Sequence, residues 1–354
     1  MEKEKRIRIG ITHGDINGVG CEVILKTLND ARILELFTPL IYSSPKVIAY
    51  YRKALGLTNL HTYSVRSSEE VQDDRINILN CLSDEVRVEM GKSTTHGGEA
   101  ALASLQTAVA DIKANKIDAL VTAPVNKNNI QTDKFKFIGH TEYLQAEFGS
   151  DNVLMLMTNG ALRMGILTGH APIAAVPALV TQEKIISTVR LINNTMIGDF
   201  NINRPRIAVL SLNPHAGDNG LIGEEEKTVI IPALENAKRE GILAFGPFPA
   251  DGLFGSGNYN KFDIILAMYH DQGMTAFKSI SFETGVNYTA GLPVVRTSPA
   301  HGTAYEITGK NIASPESFRQ ALYMACDIAK NRKLFASLKE NAMKDVEVKH
   351  GEDN

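Results

Sequence analysis

Apolar and polar positions alternate along the chain in blocks that predict strands and helices in turn. Short apolar runs predict strands at residues 6–12, 39–43, 117–122, 153–158, 162–167, 206–212 and 262–268. Stretches with apolar residues at helical spacing predict helices at about 22–28, 45–55, 97–115, 141–148, 181–196 and 223–240, and a C-terminal helix in two pieces at 315–343. This alternation predicts an α/β fold with a mostly parallel sheet.

The length of the chain indicates two domains. Its 354 residues exceed one ordinary core and are about right for two α/β domains. No linker rich in proline, glycine and serine marks a boundary, so we expect the chain to cross between two lobes near residues 125–140 and again near 300. The predicted first lobe comprises residues 1–135 and 300–354, and the predicted second lobe comprises residues 136–299.

Charge and cysteine content narrow the class of protein. The formal net charge of −3 gives no general attraction to nucleic acid or to an anionic membrane, so we expect neither as a partner. Cys21, Cys81 and Cys326 are too sparse for a disulfide framework and lack zinc-finger spacing. The first residues lack the apolar segment of a signal peptide, and residues 153–180 are interrupted by polar residues and prolines. We therefore expect a soluble cytoplasmic protein.

Three histidines stand just after apolar runs, each near glycine or proline. They are His170, His215 and His270, and we expect His270 to begin a glycine-containing loop that extends to Lys278. Imidazole is the commonest neutral ligand of zinc and similar ions, and catalytic sites keep three protein ligands. Any one of these histidines is better explained alone as a loop residue bonded to backbone. Their shared position favours one metal site assembled by folding.

Two further segments carry residues suited to an anion. Thr141 is a predicted N-cap, and His140 beside the free amides of that helix would bind phosphate or carboxylate. The alternative is a simple cap with a solvent-facing histidine. Lys278, Asn287 and Arg296 lie in one stretch, and lysine with arginine is a common pair for such anions. Surface cations are the alternative, but the glycine-rich flanks favour pocket walls.

Three glycine-containing loops are candidates for a nucleotide-binding motif. The loop at 301–315 is bounded by glycines that would let a nucleotide approach the backbone, although an ordinary connection explains it equally. The turn at 14–20 does not match the Gly-x-Gly-x-x-Gly fingerprint, and residues 91–93 lack the upstream glycine of a P-loop. Hydrolysis of a nucleoside triphosphate therefore has little support.

A set of short motifs along the chain carries a family resemblance. The motifs are Val121-Thr-Ala-Pro-Val-Asn-Lys127, Gly139-His-Thr-Glu142, Asn213-Pro-His-Ala-Gly217, Gly246-Pro-Phe-Pro-Ala-Asp251, Met268-Tyr-His-Asp-Gln-Gly273, Gly285-Val-Asn287 and Gly291-Leu-Pro-Val-Val-Arg-Thr-Ser298. In this order they resemble the 4-hydroxythreonine-4-phosphate dehydrogenase family of vitamin B6 synthesis. The wider superfamily contains isocitrate and isopropylmalate dehydrogenases. The resemblance implies a two-lobed α/β/α architecture with the active site in the cleft between the lobes.

The resemblance also implies the reaction. It is the metal-dependent, NAD(P)-linked oxidative decarboxylation of 4-phosphooxy-L-threonine to 3-amino-2-oxopropyl phosphate and CO2, in pyridoxal 5'-phosphate synthesis. The implied cofactors are NAD or NADP and a divalent metal, which would be zinc, magnesium, manganese or cobalt. The implied assembly is a homodimer with a shared active site, in which the dimer partner supplies one metal ligand. The second lobe would carry the metal, substrate and dimer contacts, and the first lobe the cofactor loop.

The family's functional positions map onto this chain residue by residue. The metal ligands map onto His170, His215 and His270, and the substrate-binding positions onto His140, Thr141, Lys278, Asn287 and Arg296. The loop at 301–315 resembles the superfamily's adenine-binding loop, which implies cofactor contacts at His301, Gly302, Thr303 and Ser314. Lys278 is also a catalytic candidate. Either Asp251 or Asp271 would orient a ligand histidine or accept the hydroxyl proton.

The chain departs from the family pattern at a few positions, which leaves alternatives open. The family's three prolines near the N-terminus are replaced by His13, Ile16 and Cys21, an acid commonly stands where Ala300 is, and Ser314 replaces an adenine-contacting asparagine. One alternative is a D-threonate or D-erythronate 4-phosphate dehydrogenase of the same family. Two others are a phosphotransacetylase-like acyltransferase and a binding or regulatory protein without catalysis.

Overall fold

One twelve-stranded sheet runs through the whole molecule. A computed structural model describes residues 6–132, 135–137, 139–160 and 162–341. Its strands are β1 (Arg8–Thr12), β2 (Thr38–Ser43), β3 (Thr62–Val65), β4 (Ile76–Asn80), β5 (Ala119–Thr122), β6 (Leu154–Asn159), β7 (Leu162–Thr168), β8 (Ile207–Leu210), β9 (Ala244–Phe248), β10 (Ile264–Tyr269), β11 (Val286–Ala290) and β12 (Val295–Pro299). Their order across the sheet is β3-β4-β2-β1-β5-β12-β11-β6-β7-β10-β8-β9.

Helices cover both faces of this sheet. They are α1 (Gly20–Leu28), α2 (Pro45–Ala54), α3 (Thr95–Lys113), α4 (His140–Phe148), α5 (Val176–Leu179), α6 (Gln182–Gly198), α7 (Ile231–Arg239), α8 (Ala250–Gly255), α9 (His270–Ile280) and α10 (Glu316–Glu340). On one face, a continuous core packs against α1, α2, α6, α7 and α10. The other face carries two separate apolar clusters, one beneath α3 and α4 and one beneath α8 and α9. The gap between those clusters is the cleft described below.

The sheet has two parallel halves that are joined by antiparallel strands. Strands β3, β4, β2, β1, β5 and β12 pair in parallel, as do β7, β10, β8 and β9. Between the halves, β12 pairs antiparallel with β11, β11 with β6, and β6 with β7. The first half comes from residues 8–122 and 295–299, the second from 162–269, and the joining strands β6 and β11 from 154–159 and 286–290. The lobe boundaries near 135 and 300 stay a prediction.

The main elements predicted from the apolar pattern are confirmed. Each predicted strand overlaps one of β1, β2, β5, β6, β7, β8 or β10. Strands β3, β4, β9, β11 and β12 were not predicted, because they are short or lie in segments whose glycines and prolines suggested loops. No helix among the described residues is both long and apolar enough to cross a membrane.

Three local predictions were wrong, and a fourth, the helix at 223–240, was right except for one irregular turn. The segment from His270 to Lys278 is not a loop but helix α9, in which Gly273 permits close packing: a Cβ there would lie 2.4 Å from Ile166. Thr141 is not the N-cap of α4, since Gly139 holds that position without a side-chain cap. The helix predicted at 223–240 contains a π-helical turn at Glu226–Ile230 before α7. The C-terminal helix is continuous, and the polar tail predicted after it lies outside the described residues.

A buried cluster of polar side chains connects α10 to strand β11 and to the end of α6 through hydrogen bonds. Asp199 follows α6, and its carboxylate accepts hydrogen bonds from the Tyr288 hydroxyl on β11 and from Arg332 Nε on α10, the latter at 2.6 Å. Arg332 also donates to the Tyr288 hydroxyl at 2.9 Å and to the Pro293 carbonyl at 3.1 Å. Burial raises the pKa of Tyr288, so its phenol remains protonated and donates to the carboxylate. The cluster therefore links three elements that are far apart in sequence.

This cluster predicts an unequal effect of two acidic substitutions. We expect Asp199→Ala to lower the free energy of unfolding by about 3 kcal/mol, since it leaves Arg332 without its partner in a largely buried site. We expect Glu240→Ala, which removes the partner of the half-exposed Arg190, to have little effect. Urea unfolding followed by circular dichroism measures both. Equal stability of the two variants would contradict a structural role for the cluster.

Candidate active site

The floor of the candidate site is built by alternate residues of three central strands. Side chains at every second position of a strand point to the same face of a sheet. On this face β6 presents Met155 and Met157, β11 presents Asn287, and β12 presents Arg296 and Ser298. These residues come from the joining strands β6 and β11 and from β12 of the first half, and the two methionines belong to the apolar cluster beneath α8 and α9. The cleft therefore sits where the two halves meet.

Loops and helix ends form the walls of this cleft. The loop after β5 contributes Ala123 to Val125 and Lys127, and the loop after β12 contributes Ala300, His301 and Gly302. The first turn of α4 adds His140, Thr141 and Glu142, while His170 follows β7 and His270 begins α9. Folding thus gathers most of the predicted polar residues into one depression.

Arg296 is the most unusual charge in the cleft. Its side chain is buried, and its guanidinium donates to the Thr122 hydroxyl at 2.7 and 3.2 Å and to the Thr289 hydroxyl at 3.1 Å. It forms no salt bridge with any carboxylate of the described residues. Burial lowers the pKa of Arg296 to about 10, which leaves it charged at neutral pH. Its hydrogen-bond partners are neutral and the charge of Glu142 acts on it only through space, so burial of this cation is costly and an anionic ligand would offset that cost.

Two neighbours of Arg296 present free polar atoms. Burial, with the nearby charges of Arg296 and Lys127, lowers the pKa of His140 well below its usual value, so this imidazole is neutral. The Nε2 atom of His140 and the Oδ1 atom of Asn287 are buried and have no hydrogen-bond partner among the described residues. Buried polar atoms are normally satisfied, so these two indicate a ligand. This end of the cleft therefore suits phosphate or carboxylate.

His170 and His270 face each other across the opposite end. Their rings are 5.8 Å apart between centroids and inclined by 34°. The Nδ1 atom of His270 lies 2.7 Å from Asp271 Oδ1, and that of His170 lies 3.9 Å from Glu142 Oε1. The His170 ring lowers the pKa of the Glu142 carboxyl. A carboxylate beside Nδ1 leaves Nε2 for a metal, which is the usual arrangement around metal-bound histidines, so the pair fits a divalent ion.

His215 lies apart from this pair. It follows β8, which neighbours β10 in the sheet, and it starts a turn in which His215, Ala216, Asp218 and Asn219 all have positive φ. Such a run is strained for residues other than glycine. The buried Glu226 supports it by accepting hydrogen bonds from the backbone N–H of Leu212 and Asn213, at 2.9 and 2.8 Å. Within the described parts of the chain, no group of three His, Cys, Asp or Glu residues could hold a metal.

The remaining catalytic candidates occupy different places. Asp271 contacts His270, as described above. Asp251 lies in the first turn of α8, directly after β9, which is the neighbour of β8. Asp251 and His215 therefore follow the two strands at the same edge of the sheet, and Asp251 does not line the cleft. Lys278 lies two turns along α9 from His270 and lines an adjoining compartment.

The adjoining compartment is less polar and meets the cleft at residues 300–302. It is lined by Val19 and Val23 of α1, by Phe277 and Lys278 of α9, and by the loop after β12, including His301, Gly302, Ala304, Ile307, Ala313 and Ser314. The Nε2 atom of His301 is buried and has no hydrogen-bond partner in the part of the chain that the structure describes. An apolar slot with a free ring nitrogen fits the base of a nucleotide. Thr303 lines neither compartment; its carbonyl accepts a hydrogen bond from Val19.

Three residues of the cleft were not singled out from the sequence. Thr122 holds Arg296, Lys127 adds a second positive charge beside His140, and Glu142 stands beside His170. Each belongs to one of the motifs that carry the resemblance. The motifs were therefore a usable signal, although the residues bear no distinguishing pattern of their own.

The chain matches one family along most of its length. A model of the family described as pyridoxal phosphate biosynthetic protein PdxA matches residues 35–325. The 4-hydroxythreonine-4-phosphate dehydrogenase of Bacteroides thetaiotaomicron is 50% identical over 343 residues, which are 97% of this chain and 94% of that protein. An Oceanobacillus iheyensis protein, provisionally named a D-threonate 4-phosphate dehydrogenase, is 35% identical and covers 92% of this chain and 98% of its own length.

Solved structures agree with this assignment. The crystal structure of 4-hydroxythreonine-4-phosphate dehydrogenase from Klebsiella pneumoniae has a TM-score of 0.78 at 30% identity, over 92% of this chain and 100% of that chain. At 12% identity, isocitrate dehydrogenase from Methylococcus capsulatus shares only the fold, with a TM-score of 0.50 over 94% of this chain and 89% of that chain. The predicted α/β fold class is thereby confirmed. Since both the family model and full-length relatives match, the chain belongs to the pyridoxal phosphate biosynthetic protein PdxA family.

Proposed function

We propose that this chain catalyses the oxidative decarboxylation of 4-phosphooxy-L-threonine. The reaction takes 4-phosphooxy-L-threonine and NAD(P)+ to 3-amino-2-oxopropyl phosphate, CO2 and NAD(P)H. The name shared by the Bacteroides and Klebsiella relatives supports the substrate. The structural observation that carries the proposal is the buried, unpaired Arg296 in the same cleft as the facing His170 and His270.

The substrate phosphate binds at the Arg296 end of the cleft. The guanidinium and the Lys127 ammonium supply positive charge. The free Oδ1 of Asn287 accepts a hydrogen bond from a hydroxyl or ammonium group of the substrate. His140 is neutral and presents a free ring nitrogen, so it forms a hydrogen bond with a substrate oxygen without adding charge. Thr141 offers its hydroxyl in the first turn of α4. These contacts fix the phosphate and thereby orient the carbon that is oxidised.

His170 and His270 hold a divalent metal, and His215 completes its ligands. When bound, the metal supplies Lewis acidity that lowers the pKa of the substrate hydroxyl. Asp271 orients the His270 ring through the 2.7 Å contact, and Glu142 acts in the same way on His170. We assign Asp251 the corresponding place near His215, since the strands before these residues are neighbours. Zinc, magnesium, manganese and cobalt all remain candidates for this site.

Because His215 lies apart from the pair in its own chain, we assign it to the site of a second copy. Exposed apolar side chains near the metal histidines support a subunit interface there: Leu221 is 82% exposed and Ile173 is 70% exposed. Apolar side chains of this size at such exposure are typical of surfaces that become covered on association. The functional unit would then be a homodimer with two shared sites.

The nicotinamide nucleotide binds in the adjoining compartment and, when bound, accepts the hydride. Its adenine end lies among Ala304, Ile307, Ala313 and Ser314, and His301 and Gly302 sit where the two compartments meet. Lys278 lies on the wall of the same compartment and supplies a cation for the nucleotide or for the substrate phosphate. Thr303 contributes indirectly, because its carbonyl fixes the loop to α1.

Formation of reduced nicotinamide by the purified protein tests this function. With a divalent metal present, we expect turnover of 4-phosphooxy-L-threonine and its loss on addition of a chelator, since the histidines need the ion for chemistry. D-threonate and D-erythronate 4-phosphates are the comparison substrates, because the Oceanobacillus relative carries that name. Turnover of the sugar-acid phosphates alone would assign the second reaction. If none of the three phosphates yields reduced nicotinamide, the dehydrogenase proposal is overturned.

Substitution of Arg296 tests the phosphate site. We expect Arg296→Lys to lower kcat/KM for the phosphorylated substrate by about 10- to 100-fold, because lysine cannot keep two hydroxyl partners and also present a fork to phosphate. Arg190→Lys, on the exposed surface of α6, is the matched control and should behave as the unaltered chain. Steady-state kinetics measures the effect, and thermal melting checks that both variants fold. An unchanged KM and kcat in Arg296→Lys would remove the phosphate from this position.

Subunit complementation tests the shared site. His170→Ala and His215→Ala should each be inactive alone, since each removes one metal ligand. After mixing under conditions that exchange subunits, hybrid dimers contain one intact site, and activity should recover to about a quarter of normal for random pairing in a two-fold dimer. A mixture of His170→Ala with His270→Ala is the control and should stay inactive. No recovery in the first mixture would place all three histidines in one chain's site.

A further inference from the structure

Asp15 is a buried carboxylate without a charged partner. Its side chain is fully buried and accepts hydrogen bonds from the Asn17 N–H at 2.8 Å, from Asn129 Nδ2 at 2.7 Å and from the Tyr305 hydroxyl at 2.6 Å. The described residues form no salt bridge to it. A Cβ on Gly97, in the first turn of α3, would lie 2.9 Å from the same carboxylate. The partial positive charge of that helix end favours the anion.

The partners of Asp15 belong to the loops that form both compartments. Asn129 follows Lys127 in the loop after β5, and Tyr305 follows His301 and Gly302 in the loop after β12. Asp15 N also donates to the Pro124 carbonyl at 2.9 Å. One carboxylate thus connects the turn after β1 to two separate walls of the site.

A second contact holds the same loop to the same turn. Val19 N donates to the Thr303 carbonyl at 2.9 Å, and a Cβ on Gly18 would lie 2.8 Å from that oxygen, so only glycine allows this approach. Beyond it, Ala304 takes a left-handed conformation with φ of 46° and turns the chain so that Tyr305 points back to Asp15. The hydroxyl of Tyr305 therefore fixes the loop on the far side of that turn.

Stability alone does not require such a group. Taking a carboxylate out of water is costly, and apolar residues of similar volume often serve as well or better. The hydrogen bonds offset that cost only when Asn129 and Tyr305 lie in one arrangement. Tyr305 belongs to the loop after β12, and other residues of that loop line the apolar compartment.

We propose that Asp15 and Tyr305 are positioning residues for the nicotinamide nucleotide. Their hydrogen bond holds residues 301–305 in the binding conformation before the nucleotide arrives, which removes the ordering cost from the binding step. Neither residue touches the reacting atoms. The inference rests on the proposed function only in placing the nucleotide in the compartment beside this loop.

Tyr305→Phe removes one hydroxyl and tests the inference. Binding of NADH and of NADPH to the full-length protein is measured by the fluorescence of the reduced nicotinamide, without any substrate. We expect the Kd for the preferred nucleotide to rise roughly tenfold, the size expected for loss of one hydrogen bond to a charged group. In turnover assays the KM for the nucleotide should rise by a similar factor, while the KM for 4-phosphooxy-L-threonine and the saturated kcat stay near normal.

Two further variants separate positioning from general damage. Tyr50→Phe, on the outer surface of α2, is the matched control and should leave nucleotide binding unchanged. Asp15→Asn removes an acceptor, and the double variant Asp15→Asn with Tyr305→Phe should bind no more weakly than the poorer single variant, since both break the same contact. An unchanged Kd in Tyr305→Phe, or additive losses, would overturn the inference.

The inference and the proposed function fail in different ways. If the normal protein binds NADH or NADPH but turns over none of the three phosphates, the proposed reaction is wrong while the binding measurements still decide the role of Tyr305. If the normal protein binds neither nucleotide, the inference is overturned. If the KM values for nucleotide and substrate rise together with a drop in melting temperature, Tyr305 is merely structural.

Discussion

The burial of the Arg296 guanidinium is the constraint on which the candidate site depends. A charge held by two threonine hydroxyls and no carboxylate is unfavourable without an anion, so the surrounding strands must be rigid enough to keep it in place. Thr122 comes from β5 and Thr289 from β11, the strands on either side of β12 in the sheet. Three adjacent strands at the centre of the sheet therefore hold this cation in place. Any fold that separated these strands would lose the anion site.

Charge is unevenly distributed along the cleft. Arg296 and Lys127 make part of it electropositive, and burial together with these two charges lowers the pKa of His140 and keeps it neutral. Glu142 and Asp271 each stand beside a histidine of the same cleft, and Glu142 also interacts through space with Arg296 and Lys127. Phosphate is therefore favoured beside Arg296 and Lys127, whereas the carboxylates favour a cation beside the histidines. Orientation therefore follows from electrostatics as much as from shape.

The sequence carried the strand pattern and most of the site, but not every detail. Runs such as residues 264–268 are continuous and apolar because their strands are buried on both faces, which makes them easy to identify. The segment after His270 looked like a loop because of Gly273, whereas that glycine serves close packing of α9 on β7. Tyr305 and Asn129 gave no signal either, since their importance arises from Asp15, which is distant from both in sequence.

The three histidines also show what a sequence alone does not predict. A single sequence contains the three histidines but does not say which of them come together in one chain, and here His215 follows a different strand from the pair. Its strained turn and the supporting Glu226 depend on backbone geometry that no residue pattern encodes. Local patterns therefore predicted the residue types of the site, and tertiary structure decided their grouping.

The junction between β11 and β12 limits how this molecule can move. These strands are joined by the short turn at residues 291–294 and hydrogen-bonded as neighbours, yet each pairs on its other side with a different half of the sheet. Moving the two halves apart at this junction would break that ladder beneath the cleft, and with it the placement of Asn287 on β11 and Arg296 on β12. The floor of the site is therefore part of one continuous sheet and not a seam between two separate bodies.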